Sequence, residues 1–336
     1  MPKPKIAFYW CASCGGCEET VVDLAEDILG VVEKVDIVLW PVAMDFKYQD
    51  VEALPDKSIF ATLLNGAIRS SEQEHMAHLL RRKSRYLIAY GSCACTGGIP
   101  GLANQFERDQ ILKFYYEEAP SVVNDARTRP QLVFEENGRR TQLPELHHVV
   151  RSLDQVEQVD YYIPGCPPTP KITQAAVAAL LDGRLPPKGT VLAAQDVALC
   201  EECPRRDSKP TDVVFTEFRR THQKLLDPQL CFLAQGVVCM GPATRQGCGA
   251  QCPGGNMPCT GCFGGTDRVK SQGAKMISSL CSSLTAKEDE EIDRVLDGIP
   301  DPLGTFYRYT LPRTLFRRKI DLPAGHGTTD PGTTTE

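Results

Sequence analysis

Basic charge is the first thing this chain is short of. Across 336 residues, 37 Lys and Arg stand against 43 Asp and Glu, for a formal net charge of −6, and the pI is near 5.6. That balance argues against nucleic acid or an anionic membrane surface as a partner. Long apolar runs are missing as well. The longest, around residues 173–181, falls far short of the roughly 20 residues that a bilayer requires. The opening residues lead straight into an apolar strand, with neither the extended apolar region nor the cleavage site of a secretory signal. Histidine is sparse, six in all. His75 and His78 lie on a polar helix and His147 and His148 in a loop, and none has a carboxylate or cysteine partner in the sequence, so they read as solvated side chains. No internal repeat is visible, which sets repeat architectures aside. With 42% hydrophobic and 24% charged residues, the chain reads as an ordinary folded protein. It is expected in the cytoplasm, with no nucleic-acid and no membrane partner.

Cysteine is the opposite case, with fifteen in the chain. A cytoplasmic chain rich in cysteine points to metal binding rather than disulfides. Twelve of the fifteen fall into three groups of four, the number of thiolates that an iron–sulfur cubane takes. The first group is dispersed: Cys14 and Cys17 in WCASCGGCEE, Cys93 in YGSCACTGG and Cys166 in IPGCPPTP. The other eight, Cys200, Cys203, Cys231, Cys239, Cys248, Cys252, Cys259 and Cys262, crowd into 63 residues. Cys14-x-x-Cys17 alone would suit zinc or a redox dithiol equally well. The remote partners tip the reading, because Cys93 and Cys166 are single cysteines in Gly- and Pro-rich turns. Gly91, Gly97, Gly98 and Gly165 let backbone approach a bulky cluster and donate N–H bonds to its sulfurs. Three clusters in one chain imply a relay for electrons.

The first half alternates short apolar runs with helical stretches, the pattern of a parallel α/β sheet. Strands are expected at residues 5–10, 35–40, 59–64, 86–90 and 159–163. Helices are expected at 18–29, 72–82 and 171–181, the last ended by Gly183. The three dispersed motifs follow the first, fourth and fifth strands, and open α/β sheets bind ligands outside the carboxyl ends of their strands. Residues 102–158 are longer than one connection, with a helix expected at 108–118 and a hairpin around Glu136-Asn137-Gly138. Leu185-Pro186-Pro187-Lys188-Gly189 reads as a boundary. Residues 1–186 then form one unit and 187–320 a second, loop-rich one whose core is partly replaced by clusters. Residues 321–336 read as a disordered tail, and 287–291 as a solvated helix face.

Five separated motifs carry a family resemblance. C-x-x-C-x-E at 14–19, G-x-C-A-x-x-G-G at 91–98 and G-C-P-P at 165–168 together resemble the small subunit of a NiFe hydrogenase. So do the stretches at 239–248 and 258–262, in the same order. WPVAMDFKYQDVEALPDKS particularly resembles the cytoplasmic branch, which includes the F420-non-reducing (methyl-viologen-reducing) hydrogenase that works with heterodisulfide reductase. The resemblance implies a flavodoxin-like parallel sheet, strand order 2-1-3-4-5, followed by a smaller iron–sulfur domain. It implies that Cys14, Cys17, Cys93 and Cys166 hold a proximal 4Fe–4S cluster. Cys200, Cys203, Cys231 and Cys239 would hold a distal one, and Cys248, Cys252, Cys259 and Cys262 a medial one. The NiFe centre would sit on a separate large subunit, and electrons would leave to an iron–sulfur or flavin subunit, such as that of a heterodisulfide reductase complex.

Many relatives carry proline where Cys252 stands and hold a 3Fe–4S centre there, so the extra thiolate implies 4Fe–4S. Oxygen-tolerant relatives add cysteines at the places of Gly16 and Gly98, so their modified cluster is not expected. The resemblance also puts Glu19 near the subunit contact and on a proton path; the alternative is a first-turn carboxylate favoured by the helix dipole. Cys11 and Cys95 read as small buried apolar residues, and Cys281 is left over. Two rivals stand beside this reading: a quinone-reductase subunit of the complex I type, and a non-enzymatic zinc-binding interaction module.

Overall fold

The computed structural model describes residues 2–45 and 47–314, so the tail expected at 321–336 lies outside the described residues. Ten strands run in chain order: β1 (Lys5–Trp10), β2 (Asp36–Leu39), β3 (Ile59–Asn65), β4 (Ile68–Ser70), β5 (Ser84–Tyr90), β6 (Val133–Glu136), β7 (Arg139–Gln142), β8 (Leu146–Arg151), β9 (Tyr161–Ile163) and β10 (Thr190–Val191). Six form one sheet, in the order β10-β9-β5-β3-β1-β2, and every pairing in it is parallel. Counting its strands along the chain, this is the expected 2-1-3-4-5 order with a sixth strand added at one edge.

Side-chain alternation explains the two-sided burial. In register across the sheet, Phe8 pairs with Leu63, Leu63 with Ile88 and Ile88 with Tyr161. That row faces the helix Pro170–Leu181 through Ile172, Ala176 and Leu180. Ala7, Leu64, Leu87 and Ala89 point the other way, against Met76, Ala77, Leu79 and Leu80 of the helix Ser71–Lys83. Ser70 caps that helix, and the Gln73 side chain returns a bond to the Ser70 N–H.

One helix differs from expectation. Residues 18–29 form two short helices, Gly16–Val22 and Asp27–Val32, separated where Ala25 turns into the left-handed region at φ 51°. The apolar spacing at Val21, Leu24 and Ile28 runs on across the break, so periodicity alone cannot reveal it. The helix expected at 108–118 is α-helical over Arg108–Lys113 and widens to a π turn over Phe114–Glu118. The hairpin forms around Asn137 and Gly138, both at positive φ, pairing β6 with β7. No expected strand corresponds to β4, β8 or β10, which are short or lie at an edge.

Beyond β10 the chain proceeds through short 3₁₀ turns and the helices Gln272–Cys281, Asp289–Leu296 and Pro302–Phe306. Most of its apolar residues gather in one cluster centred on Phe215, Phe232, Met240, Met276 and Tyr307, while Leu192 and Phe263 join a cluster on the sheet. Residues 287–291 are exposed and lead into the second of these helices. The end of the described chain then folds back onto the first half. Thr96 Oγ1 and Gly98 N–H both donate to Tyr309 O (2.7 and 3.0 Å), Arg313 Nη1 donates to Cys95 O (3.1 Å), and Gln155 Nε2 donates to Pro312 O (2.9 Å).

Candidate metal centres

In a parallel sheet all carboxyl ends share one edge, and β1, β5 and β9 deliver their cysteines there. Cys14 follows β1, Cys17 lies in Gly16–Val22, Cys93 lies in Gly91–Thr96 directly after β5, and Cys166 follows β9. The four thiols are mutual electrostatic neighbours. Burial drives the Cys17 pKa well up, and Cys93, Cys166, Cys95 and Cys14 all add to the shift. Cys93 is pushed up to about 12, by burial first and then by Cys166 and Cys14. Glycine makes the cradle: Gly91, at φ +84°, lies so close to Cys17 Sγ that a Cβ there would collide with it. Gly98, at φ +56°, would place a Cβ 2.5 Å from Cys93 Sγ. Backbone N–H groups complete it, with Ile99 donating to the Cys93 sulfur.

The later cysteines interact in two overlapping sets, which meet at Cys259. Burial raises Cys200, which interacts with Cys203 and Cys231. Burial likewise pushes Cys239 to about 12, while Gly241 and Cys259 N–H groups donate to its sulfur and Cys200 and Cys231 act on it. In the other set, burial raises Cys248, which receives N–H bonds from Ala250 and Gln251 and feels Glu202 and Cys252. Cys262 is pushed to about 12 by burial, with Cys248, Cys166 and Cys252 contributing and the Cys166 N–H donating to its sulfur. Burial also raises Cys259, which interacts with Cys239 and Cys262.

Two contacts link cysteines from different parts of the chain. The first runs from Cys166 to Cys262, where Ser92 Oγ also donates to Cys262 O. The second is the Cys259 N–H bond to Cys239 Sγ, 3.3 Å. Left to themselves, thiols this buried hold their protons, which avoids four neighbouring anions; a bound metal's positive charge reverses that preference. Among the described residues no three His, Cys, Asp or Glu side chains gather tightly enough to hold one ion. All-thiol donors, glycine cradles and backbone N–H groups directed at sulfur fit the larger body of an iron–sulfur cluster.

Of the remaining cysteines, Cys95 lies close enough to the first group to interact with Cys17 and Cys93. Cys11 and Cys95 are buried in one apolar cluster with Leu64, Leu87 and Ala94, and Cys95 Sγ donates to Ala89 O (3.4 Å). Cys281 is exposed at the end of its helix. Glu19 is exposed in the first turn of Gly16–Val22, whereas its neighbour Glu18 is only 3% exposed. Glu18 accepts from Trp40 Nε1 (2.6 Å) and Asn65 Nδ2 (2.9 Å). Burial raises its pKa, and the two hydrogen bonds oppose the shift. Helical spacing is the available signal, since Glu18 shares a face with Val21. His78 lies 2.6 Å from Glu157 and His147 2.9 Å from Glu74, and burial lowers the His147 pKa. Those carboxylates are distant or on another element, and sequence proximity cannot show them.

The family model for the 20 kDa subunit of NADH ubiquinone oxidoreductase matches residues 14–180. The iron–sulfur subunit of the F420-non-reducing hydrogenase of Archaeoglobus profundus is 37% identical over 320 residues, covering 94% of this chain and 98% of its own. A subunit of the F420-non-reducing hydrogenase of Methanothermobacter thermautotrophicus is 36% identical, covering 95% and 97%. Among solved structures, the oxidised [NiFeSe] hydrogenase of Desulfovibrio vulgaris Hildenborough superposes with a TM-score of 0.50 at 17% identity, over 78% of this chain and 94% of that one; this likeness is one of fold. Identity sustained over nearly the whole length, through both the sheet and the cysteine-dense half, decides the assignment: the chain belongs to the family of iron–sulfur subunits of the F420-non-reducing hydrogenases.

Proposed function

We propose that this hydrogenase subunit relays electrons through three 4Fe–4S clusters. Cys14, Cys17, Cys93 and Cys166 would hold the proximal one, Cys248, Cys252, Cys259 and Cys262 the medial one, and Cys200, Cys203, Cys231 and Cys239 the distal one. Clusters held there supply one-electron carriers between a NiFe centre on the large subunit, where H2 is split, and an external acceptor. The observation that carries the reading is the serial contact pattern: Cys166 touches the medial group at Cys262, and Cys259 touches the distal group at Cys239.

The chain's own residues do three things in this scheme. The thiols take up the iron; the glycines at 91 and 98 admit the cluster at backbone distance; and N–H groups at Ile99, Gly241, Ala250 and Gly261 donate to sulfur and steady the added negative charge. Glu19, exposed one turn from the proximal group, belongs in this proposal to the proton path at the subunit contact. The proposed units at 1–186 and 187–320 each have an apolar cluster of their own and share a third, in which Leu192 and Phe263 pack with the sheet residues, with β10 as the connection's last pairing to the sheet. The acceptor is proposed to be an iron–sulfur or flavin subunit of a heterodisulfide reductase complex, in the cytoplasm. The complex I alternative has support only over residues 14–180, whereas the hydrogenase relatives reach through the later cysteines.

Anaerobic iron and sulfide analysis is the direct test. About twelve of each per chain are expected, with a broad visible absorption band. A colourless protein loaded with zinc, or clearly fewer than about ten irons in fully loaded protein, would reject the reading. Reduction of a candidate acceptor complex by H2, with and without this subunit, tests the partner.

A further inference from the structure

Glu202 stands between Cys200 and Cys203, yet its side chain works on a different loop. Its Oε1 accepts the N–H groups of Gly247 (2.9 Å) and Gly249 (3.1 Å), the two residues that flank Cys248. The same oxygen lies 3.9 Å from Cys248 Sγ. Two amides on either side of one residue, converging on a single anion, form a backbone nest. The nest needs glycine. Gly247 is at φ +130° and Gly249 at φ +69°, and a Cβ on Gly247 would press at 3.0 Å on Ala194 and 3.2 Å on Phe263.

We infer that Glu202 is a positioning residue that ties the loop of the distal cysteines to the loop of the medial ones and sets a negative charge against the Cys248 sulfur. This rests on the three-site reading above. Neutral glutamine would offer the same accepting oxygen to both amides. A carboxylate there adds like charge beside a thiolate, which makes a further electron harder to place on the medial group. Geometry and charge are therefore separable by substitution.

The experiment uses the anaerobically purified, cluster-loaded full-length chain in complex with its large subunit. Potentiometric EPR titration follows the reduction of the medial and distal groups and the magnetic interaction between them. Glu202→Gln is expected to keep the iron content and the interaction of the parent while the medial group reduces at a higher potential. Glu202→Ala is expected to shift the potential the same way and also to weaken or broaden the interaction, because the tether is gone. If both variants titrate as the parent does, with the same interaction, the inference is overturned. Should Glu202→Ala fail to retain its clusters, Glu202→Gln decides alone through its potential: an upward shift supports the inference and an unchanged value ends it. A parent protein with only about eight irons would instead sink the three-site reading, a distinguishable failure.

Discussion

Replacing Gly91 with alanine tests the proximal cradle at its tightest point. Gly91 opens the helix Gly91–Thr96 at φ +84°, and an added Cβ would lie well inside van der Waals contact of Cys17 Sγ. Two costs add. Left-handed backbone costs a non-glycine residue about 1–2 kcal/mol, and forcing an extra methyl into a packed site costs about 1–3 kcal/mol more. Relief requires the sulfur to retreat by roughly an ångström or more to reach normal contact distance, and a thiolate bonded to iron has no such freedom. Gly183→Ala is the matched control, because Gly183 is at φ +69° with nothing within 4 Å of its Cβ position. It should bear only the backbone cost of about 1–2 kcal/mol. Iron analysis, visible absorption and denaturant midpoints on both variants give the comparison. Gly91→Ala should lose about four of about twelve irons, while Gly183→Ala keeps them all at slightly lower stability. If Gly91→Ala retains full iron and the parent's midpoint, the cradle argument is wrong.

Cys95→Ala should keep every cluster and cost roughly 1–2 kcal/mol by denaturant midpoint, as a small cavity in the apolar core, whereas Cys93→Ala should lose the proximal cluster by iron count; the reverse pattern would show that the loop is misassigned. Cys252 is exposed in the short helix Gln251–Gly254, so Cys252→Ala should leave the fold intact and convert the medial site to 3Fe–4S, seen as a new EPR signal in oxidised protein. Asp160 is a structural case. Burial pushes its carboxyl up, but Arg81, Lys188 and the Leu87 N–H outweigh that and hold it below the usual range. A depressed folded pKa contributes stability that is complete above the unfolded value and fades as pH falls through the folded one. Asp160→Asn should therefore lower stability at neutral pH and flatten its decline with acid, and a parent-like acid limb in the variant would contradict this.

How much of this can be read from sequence follows from where the determinants lie. β1 forms at the residues expected of it, because a central strand is written as one apolar run. The cysteines of the first group are legible as a set because a parallel sheet forces the ends of β1, β5 and β9 to one edge. The break at Ala25 is not, since a single left-handed residue leaves the apolar spacing undisturbed. Motif position favours Glu19 over Glu18, although the helical face points to the buried one. In the second half, 3₁₀ turns give no period to read, and the pairing of Glu202 with the amides around Cys248 crosses 45 residues of such chain. Contacts of that kind are set by tertiary placement alone.

The backfold of residues 309–314 bears on the order in which the protein can be made. The segment that carries Cys93 and Cys95 is locked by Tyr309 and Arg313, the last bond spanning 218 positions, while Pro312 O accepts from Gln155. A ribosome that has finished the sheet has not yet made the residues that close this loop. Contacts so distant along the chain form late, so the Cys93 loop stays open throughout synthesis of the second half. That order leaves the sheet edge open until residues 309–314 are made, so a truncation that removes Tyr309 and Arg313 would loosen a loop more than 200 residues earlier in the chain.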